Sequence, residues 1–455
     1  MAKNLKLFFL CYPHFGTLDN WLPVLNEIND LSGNLAFTLI IPNPAIIRSF
    51  HKDNAVVKIT NNIFDTVLIR AYDDIWIRHA SVFDSIEWYQ KNRVRLRLFD
   101  ILKLLKNQRM LLHILTWPLI LLKNKIFKKE CELIKYKELG KDVLQTDILF
   151  YDIHVEKSCL VSDILQLFYN SNKYSLPHGL SMLGSNLNSE EKLTTLVDVS
   201  NKDNTKVYVN SEFHINFYNK KYGINVDKKH VIGIPRHDCK WIETIQNLSL
   251  KLPNQFDNDN TVVLLSRHVS NAHLLFDEKV ESIKNIKKIF IDKLGMKLVI
   301  KLHPNEKQER VYRRKKEKIY ENILGLKNYG LTWIYSDLHI FALCKNKKLV
   351  ISFNTGVVFD AIAMGVPCIE YIDSSTLFKN YDGRKKRLTD FVKYNFVEGV
   401  YNHYELNTYV DKWVNNPEKI STSSKNTYKK YFPVSDGILK RVATEILIEN
   451  DINNV

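Results

Sequence analysis

Two short apolar runs, each ending abruptly on polar residues, constrain this 455-residue chain more than any other feature. One is Met296-Lys-Leu-Val-Ile-Lys-Leu-His-Pro304, the other Leu349-Val-Ile-Ser-Phe-Asn-Thr-Gly356. Continuous apolar runs of this length are the pattern of strands buried on both faces of a parallel sheet. Ligands of open α/β sheets bind beyond the carboxyl ends of the strands, so His303 and the turn from Ser352 to Gly356 are expected to face one crevice. Pro304 stops its strand and fixes the turn that follows. Ser352, or Asn354 with a later start, can cap a helix whose apolar face carries Phe359, Ile362 and Ala363. Gly356 lets a ligand approach the backbone, and a helix start supplies free N–H groups for a phosphate. Gly365 ends the helix and Val366-Pro-Cys-Ile-Glu370 begins another buried strand, which completes a βαβ unit.

The pair Lys301-Leu-His-Pro304 and Ser352-Phe-Asn-Thr-Gly-Val-Val-Phe-Asp-Ala-Ile-Ala-Met-Gly-Val-Pro-Cys-Ile-Glu370 resembles the nucleotide-binding half of GT-B glycosyltransferases that use cytidine-linked donors. That group includes bacterial sialyltransferases, transferases of Kdo (an acidic eight-carbon sugar), and the CDP-glycerol glycerophosphotransferases of teichoic acid synthesis. The resemblance implies an α/β protein of GT-B type: two Rossmann-like domains with parallel sheets facing a central cleft. The donor would lie in the C-terminal domain and the acceptor in the N-terminal one.

The length of the chain suits two domains. Its formal charge of +15 and pI near 9.2 point to an anionic partner, although Lys, Asn and Ile are abundant throughout, as an AT-rich genome would produce. The basic residues lack the aromatic interleaving of a nucleic-acid module, so no nucleic acid is expected. The six cysteines form no C-x-x-C pair and read as small buried hydrophobes in a reducing compartment. Residues 5–12 read as a first strand and not as a signal peptide, which predicts a cytoplasmic protein. No metal site and no cofactor are expected, the nucleotide-linked donor being a substrate.

After the first strand, the loop at 13–17 holds His14 and Gly16, candidates to line the acceptor side, and a helix is expected from Asp19 to Ile28. Further strands are expected at Leu35–Ile41 and Thr66–Arg70. Tyr72-Asp73-Asp74 partly echoes the acidic pair of sialyltransferases, but Ile75 stands where those families have Gly, and a solvated loop is the alternative. From Lys91 to Lys129, eleven Lys and Arg residues, both ends included, surround an uncharged run, 111–122, broken by Pro118. That run is shorter than the ~20 apolar residues needed to cross a bilayer. Two readings stay open: helices lying on an anionic membrane surface, or a helical pair packed on the first sheet with its cations toward water.

A strand at 147–151 ends in Asp152, His154 and Glu156, cleft candidates for acid or base work or a salt-bridged loop. Lys173-Tyr-Ser-Leu-Pro-His-Gly179 is a short strand closed by His178-Gly179, a pair that resembles one in both the glycerophosphotransferases and the Kdo transferases. In the former that His is taken as the base that deprotonates the acceptor hydroxyl. Lys206–Asn210 is a further strand, with Ser211 opening a helix. Gly233-Ile-Pro-Arg-His-Asp238 again resembles both families. Its Arg236 can hold a phosphate or sugar carboxylate in a two-pronged grip, and Asp238 is a catalytic candidate or a partner of Arg236. The polar stretch 245–260 reads as the interdomain linker. A strand at Thr261–Leu265 then places Arg267 at its end, so that donor phosphates would meet His303, Lys301, Arg267 and the turn of Ser352, Asn354, Thr355 and Gly356. The expected domains are 1–244, with the basic insert at 91–129, and 261–430, followed by a closing helix in 431–455 that crosses back.

Two activities follow from the resemblance. The first is transfer of an acidic sugar, Kdo above all, from a CMP-linked donor to a glycan or lipid-linked acceptor in bacterial surface polysaccharide or lipopolysaccharide assembly. Asp238 would then be the nucleophile, Glu156 or His178 the acid/base, and Arg236 or Arg267 the partner of the sugar carboxylate. The rival is glycerol- or ribitol-phosphate transfer from a CDP-linked donor with His178 as base. A sugar-nucleotide epimerase of the same fold is a third reading.

Overall fold

The computed structural model describes residues 5–12, 15–33, 35–72, 75–106, 132–135, 147–152, 159–176, 205–215, 226–270, 274–304, 306, 318–374, 389–433 and 436–452. Its first sheet contains β1 (Lys6–Leu10), β2 (Ala36–Ile41), β3 (Thr66–Tyr72), β4 (Ile75–His79), β5 (Glu132–Lys135), β6 (Ile148–Tyr151), β7 (Asn172–Ser175) and β8 (Thr205–Val207). The second contains β9 (Thr261–Leu265), β10 (Lys297–Lys301), β11 (Trp333–Tyr335), β12 (Leu349–Ser352), β13 (Cys368–Tyr371) and β14 (Glu398–Val400).

The second sheet has the order β11-β10-β9-β12-β13-β14 and is parallel throughout. This is the 3-2-1-4-5-6 order of a Rossmann sheet, with its topological switch between β9 and β12. The first sheet repeats that order as β3-β2-β1-β6-β7-β8 and adds β4 and β5 outside β3. The expected parallel sheet is present, and its edge carries an antiparallel addition, since β3–β4 and β4–β5 pair antiparallel. Only two residues separate Tyr72 from Ile75, and a connection so short permits a hairpin but not a parallel crossover.

Both faces of these sheets are covered, which explains why their strands read as apolar runs and not as alternation. All five residues of β9 and all four of β12 are buried. In the first domain, α1 (Gly16–Ser32) is amphipathic at helical spacing and buries Leu18, Trp21, Leu22, Leu25 and Ile28 against one face. Gly33, in the left-handed conformation, ends it. The next helices are α2 (Ala55–Ile63), α3 (Val82–Lys106) and α4 (Cys159–Leu167). α3 carries the start of the basic 91–129 segment, whose residues 107–129 lie outside the described ones, so neither reading of the segment is decided. No described helix is long and apolar enough to cross a membrane.

The junction between the domains differs from the expected linker. α5 (Cys239–Leu248) takes up the first residues of 245–260, leaving 249–260 as the turn-rich connection. The second domain then adds α6 (Phe276–Ile286), α7 (Ile340–Cys344), α8 (Val358–Ala363), α9 (Asp390–Lys393), α10 (His403–Asn415), α11 (Pro417–Tyr431) and α12 (Ile438–Glu449). α12 returns to the first domain: Lys206 pairs with Glu445 and Glu449, and Asn450 accepts from Asn172 Nδ2 at 2.7 Å. One apolar cluster runs from Trp21 and Leu25 through Trp241 and Phe341 to Phe359 and Leu447, so the two domains share a core.

Candidate functional site

The carboxyl ends of β9 and β12 lie side by side, with Phe353 N–H donating to Leu265 O at 3.0 Å. From β9 the chain runs into Ser266, Arg267 and His268; from β12 it runs into Asn354, Thr355 and Gly356. Asn354 has φ of 51°, a left-handed conformation that Asn tolerates better than other non-glycine residues. Arg267 Nη1 donates to the carbonyl oxygen of that same Asn354. Arg267 Nε is buried and meets no acceptor among the described residues. Burial holds the Arg267 guanidinium below its ordinary pKa, and Glu370 offsets this in part. A half-buried cation with an unused donor at the switch point is chemically prepared for an anion.

The turn after β12 corrects the expected helix start. Ser352 Oγ accepts from Thr355 N at 3.2 Å and Thr355 Oγ1 accepts from Val357 N at 3.4 Å, so these side chains cap a turn. The helix α8 begins only at Val358 and has six residues. Its dipole is correspondingly small, and the local N–H groups and Arg267 carry more of the positive potential than a long helix axis would. Among the described residues, nothing lies within 4 Å of a Cβ placed at Gly356.

Behind this turn a buried ion pair links two strand ends. Lys279 on α6 pairs with Glu306, beyond the end of β10, and also donates to Arg267 O at 2.9 Å. Glu306 Oε2 accepts from Ser266 Oγ at 2.6 Å. His303 lies across from His268, with ring centroids 5.4 Å apart, and Pro304 follows it. Lys301 points elsewhere: its Nζ donates to Leu338 O at 2.6 Å and so supports the loop that leads to His339.

Arg236 has partners other than a substrate anion. Its Nε donates to Asp360 Oδ1 at 2.8 Å and its Nη1 to Asn20 Oδ1 at 2.8 Å, with Asp19 Oδ2 at 3.9 Å. The neighbouring His237 bridges Asp360 Oδ1 and Tyr428 OH, at 2.6 Å each. Across the same interface, Asp19 Oδ2 lies 3.5 Å from His339 Nε2. Burial alone would raise the Asp360 pKa, but Arg236 and His237 outweigh it and hold the carboxyl at about 2. Asp19 is likewise held low against its burial by His339 and Arg236. Burial keeps the His237 imidazole below its ordinary value despite Asp360.

Asp238 caps α5, accepting from Lys240 N at 3.0 Å, and the nearby backbones of Leu439 and Gly437 at the start of α12 also favour its charged form. Desolvation nevertheless raises its pKa above the ordinary carboxylate value. Gly16 opens α1. His14, Glu156 and His178 lie outside the described residues, as do Asp73, Asp74 and His154. Among the described residues, no three His, Cys, Asp or Glu side chains converge as metal ligands.

Asp360, Asn20, Lys279 and Glu306 escape sequence reasoning because their roles depend on partners far along the chain. Asp360 alone carries a local signal, an acid within the apolar run Val357-Val-Phe-Asp-Ala-Ile-Ala363.

A family model described as CDP-Glycerol:Poly(glycerophosphate) glycerophosphotransferase matches residues 174–447, more than half of the chain. No curated protein matches it. Among solved structures, a protein provisionally named UDP-N-acetylglucosamine 2-epimerase from Listeria monocytogenes is 12% identical, with 98% of this chain and 97% of that one covered and a TM-score of 0.51. The wall teichoic acid polymerase TagF is also 12% identical, with 99% and 89% covered and a TM-score of 0.50. At such identities the structures speak for the shared two-domain fold alone.

Proposed function

This chain belongs to the CDP-glycerol:poly(glycerophosphate) glycerophosphotransferase family and is a transferase, and from that premise we propose that it moves glycerol phosphate, or a similar polyol phosphate, from a cytidine diphosphate-linked donor to a hydroxyl of a glycan or polymer acceptor. The family match favours this rival over the transfer of an acidic sugar from a CMP-linked donor. One observation carries the reading to particular residues: Arg267, with a buried donor lacking any acceptor among the described residues, lies against the Asn354 turn at the switch point of the second sheet.

In this reading the diphosphate lies over Asn354, Thr355 and Gly356, with Arg267 and His303 toward its oxygens. The acceptor oxygen attacks the phosphorus that bears the polyol. A new oxygen–phosphorus bond forms there, the bond from that phosphorus to the bridging oxygen breaks, and CMP departs with the bonding electrons. The acceptor proton passes to a base, the role that the family resemblance implies for His178. Arg267 opposes the charge that grows on the departing phosphate, where a preorganised cation is most effective. The reading needs no carboxylate nucleophile, which suits Asp238, whose Oδ1 caps the start of α5.

The test is product analysis. Purified protein with CDP-glycerol and a poly(glycerophosphate) primer is expected to release CMP and lengthen the primer by one glycerol phosphate per CMP. With His178→Ala, turnover should fall by about a thousandfold or more while donor binding persists. Release of CMP from CMP-Kdo with none from CDP-glycerol would overturn the reading.

A further inference from the structure

The helix that follows the Asn354–Gly356 turn reaches the other domain through a buried carboxylate as well as through the shared apolar core. Asp360 lies in α8, is 3% exposed, and its Oδ1 receives both Arg236 Nε and His237 Nε2. Those two residues precede α5, at the junction where the chain passes between domains. Arg236 extends the connection into α1 of the first domain through Asn20 Oδ1, and His237 extends it to Tyr428 on α11. Four elements therefore meet at one carboxylate: the turn-bearing α8, the domain junction, α1 and α11. A second contact, His339 with Asp19, crosses the same interface nearby.

We propose that Asp360 and Arg236 are positioning residues, which fix the Asn354–Gly356 turn relative to the first domain so that donor and acceptor sides of the cleft face each other in the reactive register. The inference rests on the donor reading above for the content of the turn, and on the buried hydrogen bonds for its cause. A charged pair is suited to the task because its geometry is directional, whereas apolar contacts between Phe359 and its neighbours tolerate sliding. Misplacement by about an ångström at a transfer site can cost on the order of a hundredfold in rate.

The experiment compares wild type with Asp360→Asn, with the double variant Arg236→Met/Asp360→Asn, and with Asn20→Ala. For each, CDP affinity is measured by calorimetry, and donor KM and kcat are measured separately, at a temperature where the protein is folded. The double variant removes both members of the pair and is expected to recover part of the melting temperature that Asp360→Asn loses, the rest reflecting the support Arg236 gives Asn20 and Asp19. Its donor KM should remain at least tenfold raised and its kcat at least tenfold lowered. Asn20→Ala leaves the ion pair intact and is the mild arm; a three- to tenfold fall in kcat/KM is expected, with melting unchanged within a few degrees. Wild-type KM and kcat in either the double variant or Asn20→Ala would overturn the proposal. Failure of the donor reading is distinguishable: wild type would then prefer another nucleotide, and the same ratios, taken on that nucleotide, still decide the role of Asp360.

Discussion

Arg267 donates from Nη1 to the carbonyl oxygen of Asn354, whose φ of 51° places the turn in the left-handed region. One guanidinium thus pins a left-handed turn, and its buried Nε beside that turn has no acceptor among the described residues. Arg267→Gln should weaken CDP binding about tenfold to a hundredfold, the loss of one or two charge-assisted hydrogen bonds. Circular dichroism and melting should change little, because Arg267 is relieved of its burial cost at the same time.

Gly356 separates stability from binding. Nothing among the described residues lies within 4 Å of a Cβ there, so Gly356→Ala should leave stability unchanged or raise it by about 0.5 kcal/mol through the unfolded chain. The added methyl occupies the space into which a donor phosphate would settle. Calorimetry should record a CDP affinity lowered at least tenfold in a protein that melts no earlier than wild type.

Lys279 and Glu306 form an ion pair with side chains 2% and 14% exposed. Removing one member leaves the other without its partner, so Lys279→Met should cost ~3–5 kcal/mol in denaturant unfolding. Replacing both, as Lys279→Met with Glu306→Gln, should recover much of that loss. Donor affinity should stay weakened in the double variant, since Lys279 also holds Arg267 O.

His79, at the end of β4, sets a pH response away from the site. Its Nε2 is buried without a hydrogen-bond partner among the described residues, and burial lowers its pKa to about 4, with Asp84 opposing. The unfolded chain binds the His79 proton near pH 6.5 and the folded chain only near pH 4, so stability falls as pH drops through that window. The contribution is on the order of 3 kcal/mol. Unfolding of wild type and His79→Phe between pH 7 and 4 should show the shallower slope in the variant.

Legibility in the sequence followed burial. Strands covered on both faces announce themselves as apolar runs, and the expected strand at Thr261–Leu265 coincides with β9. The β3–β4 hairpin was missed because parallel and antiparallel strands share one local pattern; only the two-residue connection distinguishes them. The start of α8 was placed too early because Ser352 and Thr355 have the chemistry of helix caps and use it on a turn. Arg236 presented a cation without its counterion. Asp360 lies 124 residues further on, and no local periodicity connects the two.

A cytidine diphosphate-linked donor seated by Arg267, His303 and the Asn354–Gly356 turn has a direct signature in calorimetric titration of the protein with CDP, CMP, UDP and GDP, repeated for His303→Ala. CDP is expected to bind tightest, and His303→Ala to weaken it at least tenfold. Tighter binding of CMP would return the donor to an acidic-sugar type, and tighter binding of UDP or GDP would contradict the cytidine assignment altogether.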